Sequence, residues 1–174
     1  MSVLNLGVTG HRHLSKAQAV RADVERALLS LEARVPGQPL RLFSSLAEGA
    51  DRIVARQVLT RQTASLVAVL PMPRQHYVAD FPSPESRDEF SQLVETADDI
   101  VELPLHETRA RCCEQAGLYV LDHSDVLIAV WDGLPPRGAG GTADIVAGAA
   151  ARRLPVLWIR TDPAVPGRPT SSWP

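Results

Sequence analysis

Short apolar runs alternate with longer segments of helical periodicity along the chain. Val3–Thr9 is apolar and closed by Gly10, which predicts a first strand. A helix is expected from Ser15, because Ser15 and Gln18 stand at capping-box spacing and Val20, Val24, Ala27, Leu28 and Leu31 recur on one helical face. Pro36-Gly37 ends it. Leu40–Ser44 predicts a second strand, and Glu48–Leu59 a second helix with Ile53, Val54 and Val58 on one side. Leu66–Leu70 predicts a third strand, ended by Pro71. After a break at Pro82 to Pro84, Glu85–Thr96 reads as a surface helix, Ile100–Leu103 as a short strand and Thr108–Asp122 as a helix. Val126–Trp131 is apolar throughout, as a strand covered on both faces should be. Thr142–Arg153 is helical and Pro155–Ile159 is the last strand.

Repeated strand–helix units of this kind predict an α/β fold: a three-layer, Rossmann-like parallel sheet with helices on both faces. A length of 174 residues suits one domain. Residues 1–160 are expected to form it. From 161 to 174 the chain is polar and carries Pro163, Pro166, Pro169 and Pro174, the composition of a tail or linker.

Charge and cysteine usage narrow the function classes. The formal net charge is −2 with no long single-sign run, so the basic footprint of a sequence-independent nucleic-acid binder is missing. The two cysteines, Cys112 and Cys113, are adjacent and cannot staple distant segments. Core packing is the default reading for both. No basic leader precedes the first apolar run, and no run is long enough to span a bilayer. A cytoplasmic protein is expected, with no membrane contact from this segment.

In a parallel sheet, ligands sit outside the carboxyl ends of the strands. Four such ends carry chemistry here. The first is Gly7-Val8-Thr9-Gly10-His11-Arg12, where Arg12 can fork onto a phosphate. The second runs from Ser44 to Asp51. Ser45 and Glu48 have capping-box spacing, and Glu48 or Asp51 can alternatively hydrogen-bond a ribose or base. The third is Pro71 to His76. The fourth is Asp132-Gly133 followed by Arg137-Gly138-Ala139-Gly140-Gly141-Thr142. Three glycines ahead of a helix start, with the Thr142 hydroxyl beside them, suit a phosphate cradle or else a flexible loop capped by Thr142. Arg109 and Arg111 lie in the helix before the central strand and read as solvated arginines within reach of a phosphate. His11 and His13 form a poor metal set without a carboxylate or cysteine nearby. No metal and no resident cofactor is expected.

Taken together, Gly7–Arg12, Ser44–Asp51 and Asp132–Asp144 resemble the SLOG superfamily of Rossmann-like domains over residues 3–160. That superfamily includes the cytokinin-activating LOG phosphoribohydrolases, the DNA-processing DprA proteins and nucleotide-sensing domains of bacterial conflict systems. The LOG motif Pro-Gly-Gly-x-Gly-Thr-x-x-Glu aligns with Arg137–Ile145. Arg137 replaces the proline, Ala139 a glycine, and Ile145 the catalytic glutamate, with Asp144 one residue early. The DprA motif Ser-Gly-x-Ala-x-Gly-x-Asp is matched by Ser44, Ala47, Gly49 and Asp51, with Ser45 in place of the glycine. The resemblance is strongest to the sensor type, with its Gly-His-Arg turn, Ala-Glu-Gly-Ala-Asp helix start, Trp-Asp-Gly strand end and Gly-Gly-Thr-Ala-Asp loop.

The resemblance implies a sensor or carrier domain that binds a nucleotide-derived small molecule, a nucleoside phosphate or an ADP-ribose-type ligand. The expected ligand-binding residues are Gly10, His11, Arg12, Ser45, Glu48, Asp51, Asp132, Gly140, Gly141, Thr142 and Asp144. One alternative is a LOG-like nucleoside 5′-monophosphate phosphoribohydrolase, and a second is DprA-like binding of single-stranded DNA. The apolar helix Cys112–Leu121 is a candidate face for a homodimer. The proline-rich end suits a link to a fused or partner effector.

Overall fold

A computed structural model describes residues 2–136 and 138–161, and the backbone of 170–172. Seven strands form one sheet in the order β4-β3-β2-β1-β5-β6-β7. They are β1 (Leu4–Gly10), β2 (Leu40–Ser44), β3 (Ser65–Leu70), β4 (Asp99–Glu102), β5 (Val126–Trp131), β6 (Val156–Arg160) and β7 (Thr170–Ser172). The first six run parallel. The helices are α1 (Ala17–Arg34), α2 (Ala50–Val58), α3 (Arg74–Tyr77), α4 (Pro84–Thr96), α5 (Arg109–Asp122) and α6 (Thr142–Ala151). A 3-10 turn, Val78–Asp80, follows α3.

Strand alternation divides the core into two layers. Leu66, Ala68 and Leu70 of β3 and Val126, Ile128 and Val130 of β5 face the cluster holding Val24 and Leu28 of α1, Val54 of α2 and Phe90 of α4. On the opposite face Val67 and Val69 meet Ala116 and Val120 of α5, while Leu127 meets Ile145 and Ala149 of α6. Helices therefore cover both faces, and the three-layer α/β expectation holds. The apolar face of α5, with Cys112, Ala116, Val120 and Leu121, is buried inside the domain itself.

Beyond the six parallel strands, β7 joins the β6 edge antiparallel, Ser172 opposite Trp158, within the stretch read as a tail or linker. Residues 162–169 and 173–174 of that stretch lie outside the described residues.

Both α1 and α2 start later than the sequence suggests, and the Ser45–Glu48 capping box does not form. α1 starts at Ala17 after Lys16, and Leu14 packs onto the core just before it. α2 starts at Ala50, and its first amide is satisfied by the His11 carbonyl (3.1 Å) rather than by a side chain. Glu48 instead accepts a hydrogen bond from the Ser86 hydroxyl of α4.

β1 sits between β2 and β5, so the strand order reverses there. That is the switch point at which a parallel sheet opens a crevice.

Candidate functional site

The crevice is a cleft of about 450 Å³ at the carboxyl ends of the strands. All four strand-end segments reach it. Gly10, His11 and Arg12 come from the β1 turn, Ser45, Ala47 and Asp51 from the start of α2, and Pro71 from the end of β3. Asp132 closes β5, and Gly140, Gly141 and Thr142 lead into α6. Two of the expected residues do not line it. Glu48 is turned toward Ser86. Asp144 accepts a hydrogen bond from the Gly140 amide (2.9 Å), so it braces the glycine loop from behind.

The β1 turn and the start of α2 are fastened to each other. Gly49 has φ +80°, and a Cβ there would lie 2.3 Å from the Arg12 carbonyl oxygen. Leu46 is also left-handed, at φ +55°. Its amide donates to the Ser44 hydroxyl (3.1 Å) and its carbonyl accepts from Arg52 Nε (3.0 Å). Arg52 is buried, stacks on Phe81 at 4.5 Å and reaches Ser86 and Glu89 of α4. These contacts set the backbone that presents Ser45 and Ala47.

Charge in the cleft is mixed. Among the described residues, the half-buried guanidinium of Arg12 has no hydrogen-bond or ion-pair partner. Arg109, at the start of α5, pairs with Asp80 and donates to Met72 Sδ (3.3 Å). Asp51 is 6% exposed. Burial pushes its carboxyl up to about 6, against the opposing pull of the Ala47 amide, the Arg12 charge, the Ser44 hydroxyl and the Arg52 charge. Burial likewise raises the Tyr77 hydroxyl and the Cys113 thiol, both on the cleft wall.

At the β5 end, the Asp132 amide donates to His11 Nε2 (3.1 Å). One carboxylate oxygen of Asp132 accepts from the Leu134 amide (2.9 Å). The Trp131 indole donates to the Leu134 carbonyl (3.1 Å), which holds the Asp132-Gly133 turn. His11 is thus engaged with Asp132, and no group of three metal-ligating side chains assembles among the described residues.

The glycine loop packs on α5. Gly140 has φ +74°, and a Cβ there would come within 2.8 Å of the Ala110 carbonyl oxygen. Gly141 is the N-cap of α6, so Thr142 is the first helical residue rather than the cap. Thr142 and Ala143 line the cleft, with amides that have no acceptor within the helix. Arg137 of this loop lies outside the described residues. The Ile145 side chain is 5% exposed and packs with Leu121, Leu127 and Ala149, so the position matching the LOG glutamate carries no acid.

Sequence reasoning missed Tyr77, Asp80, Cys113 and Trp131 as cleft residues. Trp131 is the last residue of a strand already singled out, which was the available signal. Tyr77 and Asp80 lie seven and ten residues past the β3 end, and no pattern marks them. Cys113 was read as core; Cys112 is indeed buried, whereas Cys113 is half-exposed to the cleft. Arg111 pairs with Glu114 (2.6 Å) on the surface.

The buried Asp51 carboxylate has a testable consequence. Its pKa is raised on folding, so its contribution to stability is full below pH 3.8 and lost as pH rises toward 6. Asp51→Asn should therefore stabilise the protein at pH 7.5 by up to about 3 kcal/mol and by almost nothing at pH 4. Urea denaturation at the two pH values measures this. A pH-independent difference would refute the assignment.

Fold and cleft define a Rossmann-like α/β protein with its crevice at the switch point of the sheet. No family model matches the chain, and no curated protein does. Solved structures do. The structural-genomics target TM1055 is 17% identical with a TM-score of 0.55, over 88% of this chain and 72% of that one. The molybdenum cofactor binding protein of the phototrophic bacterium Rippkaea orientalis is 20% identical, with a TM-score of 0.57 over 93% and 79%. The Moco carrier protein of Chlamydomonas reinhardtii is 21% identical, with a TM-score of 0.55 over 93% and 79%. At these identities the likeness establishes the fold. No helix of the described residues is long and apolar enough to cross a membrane.

Proposed function

We propose that the chain binds a phosphate-bearing, nucleotide-derived small molecule in this cleft, as a sensor or carrier domain. The observation that carries the reading is Arg12: a half-buried cation whose charge acts on Asp51 but which makes no hydrogen bond or ion pair among the described residues, facing a cleft on which four strand ends converge. A half-buried cation calls for a counter-charge. The free amides at the start of α6 and its dipole favour an anion on the same wall. The carboxylates of Asp51 and Asp132 suit sugar hydroxyls or ring N–H donors, and Trp131 offers an aromatic face. That solved structures of the same fold are named for binding or carrying a molybdenum cofactor supports a small-molecule role. A cytoplasmic location, self-association and coupling to an effector belong to the same reading.

The chemistry favours binding over hydrolysis. Ile145 cannot serve as acid, base or oxocarbenium stabiliser, and Asp144 is engaged by Gly140. Native mass spectrometry of freshly purified protein should show a co-purified nucleotide-derived mass, and calorimetry should show binding of mononucleotides or ADP-ribose. Incubation with AMP should release no free adenine. Steady base release that depends on Asp51 or Asp132 would replace this reading with the hydrolase one.

A further inference from the structure

We propose that the cleft takes up a proton when it binds an anion, and that Asp51 is the group that receives it. The inference rests on the binding reading above and adds to it how that site is regulated.

Asp51 lines the cleft with only 6% of its surface exposed. Its hydrogen bonds come from neutral groups and are long: 3.4 Å from the Ser44 hydroxyl and 3.4 Å from the Ala47 amide. A buried carboxylate needs a counter-charge to stay ionised. Two cations act on it, first Arg12 and then Arg52. Arg52 is engaged elsewhere, with the Leu46 carbonyl, Ser86 and Glu89. Arg12 faces the cleft, and its turn lies against Gly49, two residues before Asp51. Asp51 and an arriving anion therefore share one cation.

The other neighbours offer no replacement. Tyr77 of α3 is 1% exposed, and its hydroxyl makes no hydrogen bond among the described residues. Burial holds that hydroxyl, and the Cys113 thiol of α5, in the neutral form. Arg109 is paired with Asp80. Glu48, just ahead of α2, is held by Ser86, and His11 is engaged with Asp132.

Without a ligand, the Arg12 charge favours the ionised form of Asp51. An anion at Arg12 takes part of that support and sets a like charge nearby, so the carboxylate accepts a proton from solvent. The neutral acid can both donate and accept a hydrogen bond, which suits it to an anionic neighbour. With the carboxyl at about 6 in the free protein, the exchange falls between mildly acid and neutral pH. The bound state holds more protons, so affinity rises as pH falls.

The test uses two probes whose own charge is constant between pH 5 and pH 8: sulfate, and ADP-ribose, whose phosphates have no weakly acidic proton. Wild type, Asp51→Asn and Asp51→Ser are titrated calorimetrically across that range, with thermal melts to confirm folding. Wild type should bind both probes about tenfold tighter at pH 5 than at pH 8, the scale of one like-charge interaction in a partly buried site. At pH 6.5, two buffers of different ionisation enthalpy should reveal uptake of roughly half a proton. Asp51→Asn reproduces the neutral acid. Its affinity should stay level within about twofold across the range and exceed that of wild type at pH 8. Asp51→Ser provides a second neutral variant should the first fold poorly.

Wild-type affinity that does not change with pH, or binding without proton uptake, would overturn the coupling. So would a pH dependence that persists in both Asp51 variants, which would assign it to an imidazole such as His11. Each of these results leaves the binding reading standing. Folded wild type that binds neither probe at any pH tested would overturn the binding reading itself, and the coupling with it.

Discussion

Alanine at position 49 should lower stability by at least about 4 kcal/mol, leaving little folded protein. Gly49 has φ +80° and ψ −120°, a conformation that costs any other residue about 1–3 kcal/mol. The added methyl carbon would also stand 2.3 Å from the Arg12 carbonyl oxygen and 2.5 Å from that of His11. These are backbone atoms and cannot swing aside. Relief would require the β1 turn to withdraw, breaking the bond from the Ala50 amide to the His11 carbonyl. Against a total of roughly 5–15 kcal/mol, such a loss is decisive. Thermal denaturation measures it. A midpoint within about 5 °C of wild type would show that the turn and helix are not locked as described.

Valine at position 141 should do the opposite: it should leave the fold nearly intact and remove binding. Gly141 has φ −79° and ψ 176°, open to any residue. The nearest atom to an added Cβ is the Gly138 carbonyl oxygen at 3.4 Å, an ordinary contact. The expected loss of stability is about 1 kcal/mol, the scale of a poorer cap residue. The isopropyl group would stand at the mouth of α6, where a phosphate must approach the Thr142 and Ala143 amides. Affinity should fall about 100-fold, equivalent to roughly 3 kcal/mol. Wild-type affinity for every phosphate probe would mean that the loop is a surface connection only. Position 140 would not give so clean a result, because its positive φ and its contact with Ala110 confound folding with binding.

The contrast between these glycines shows where sequence reading reached its limit. The loop was recognisable as a glycine-rich lead into a helix. Which glycine is needed for backbone geometry and which for open space depends on α5 packing behind Gly140, a tertiary fact. The fold itself was legible because β3, after Ser65, and β5 are apolar at every position, and their helices keep one buried face. The convergence of the four strand ends followed from the fold rule alone. The Ser45–Glu48 capping box was misread because α2 starts later, with its Ala50 amide held by the His11 carbonyl, and because Ser86, 38 residues on, takes the Glu48 carboxylate. Asp80 was invisible because its partner, Arg109, stands 29 positions later in the sequence.

The long-range seam between β1 and β5 also has a meaning for synthesis. Gly10 pairs with Val130, and His11 with Asp132, 121 positions later. A chain emerging from the ribosome can form β1, α1, β2, α2 and β3 from near neighbours. It cannot own a cleft until β5 has docked beside its first strand and α6 has closed the loop. Any ligand met before then finds half a wall. A small molecule bound in that cleft would therefore stabilise only the nearly complete domain, acting on the last folding step and leaving the earlier ones untouched.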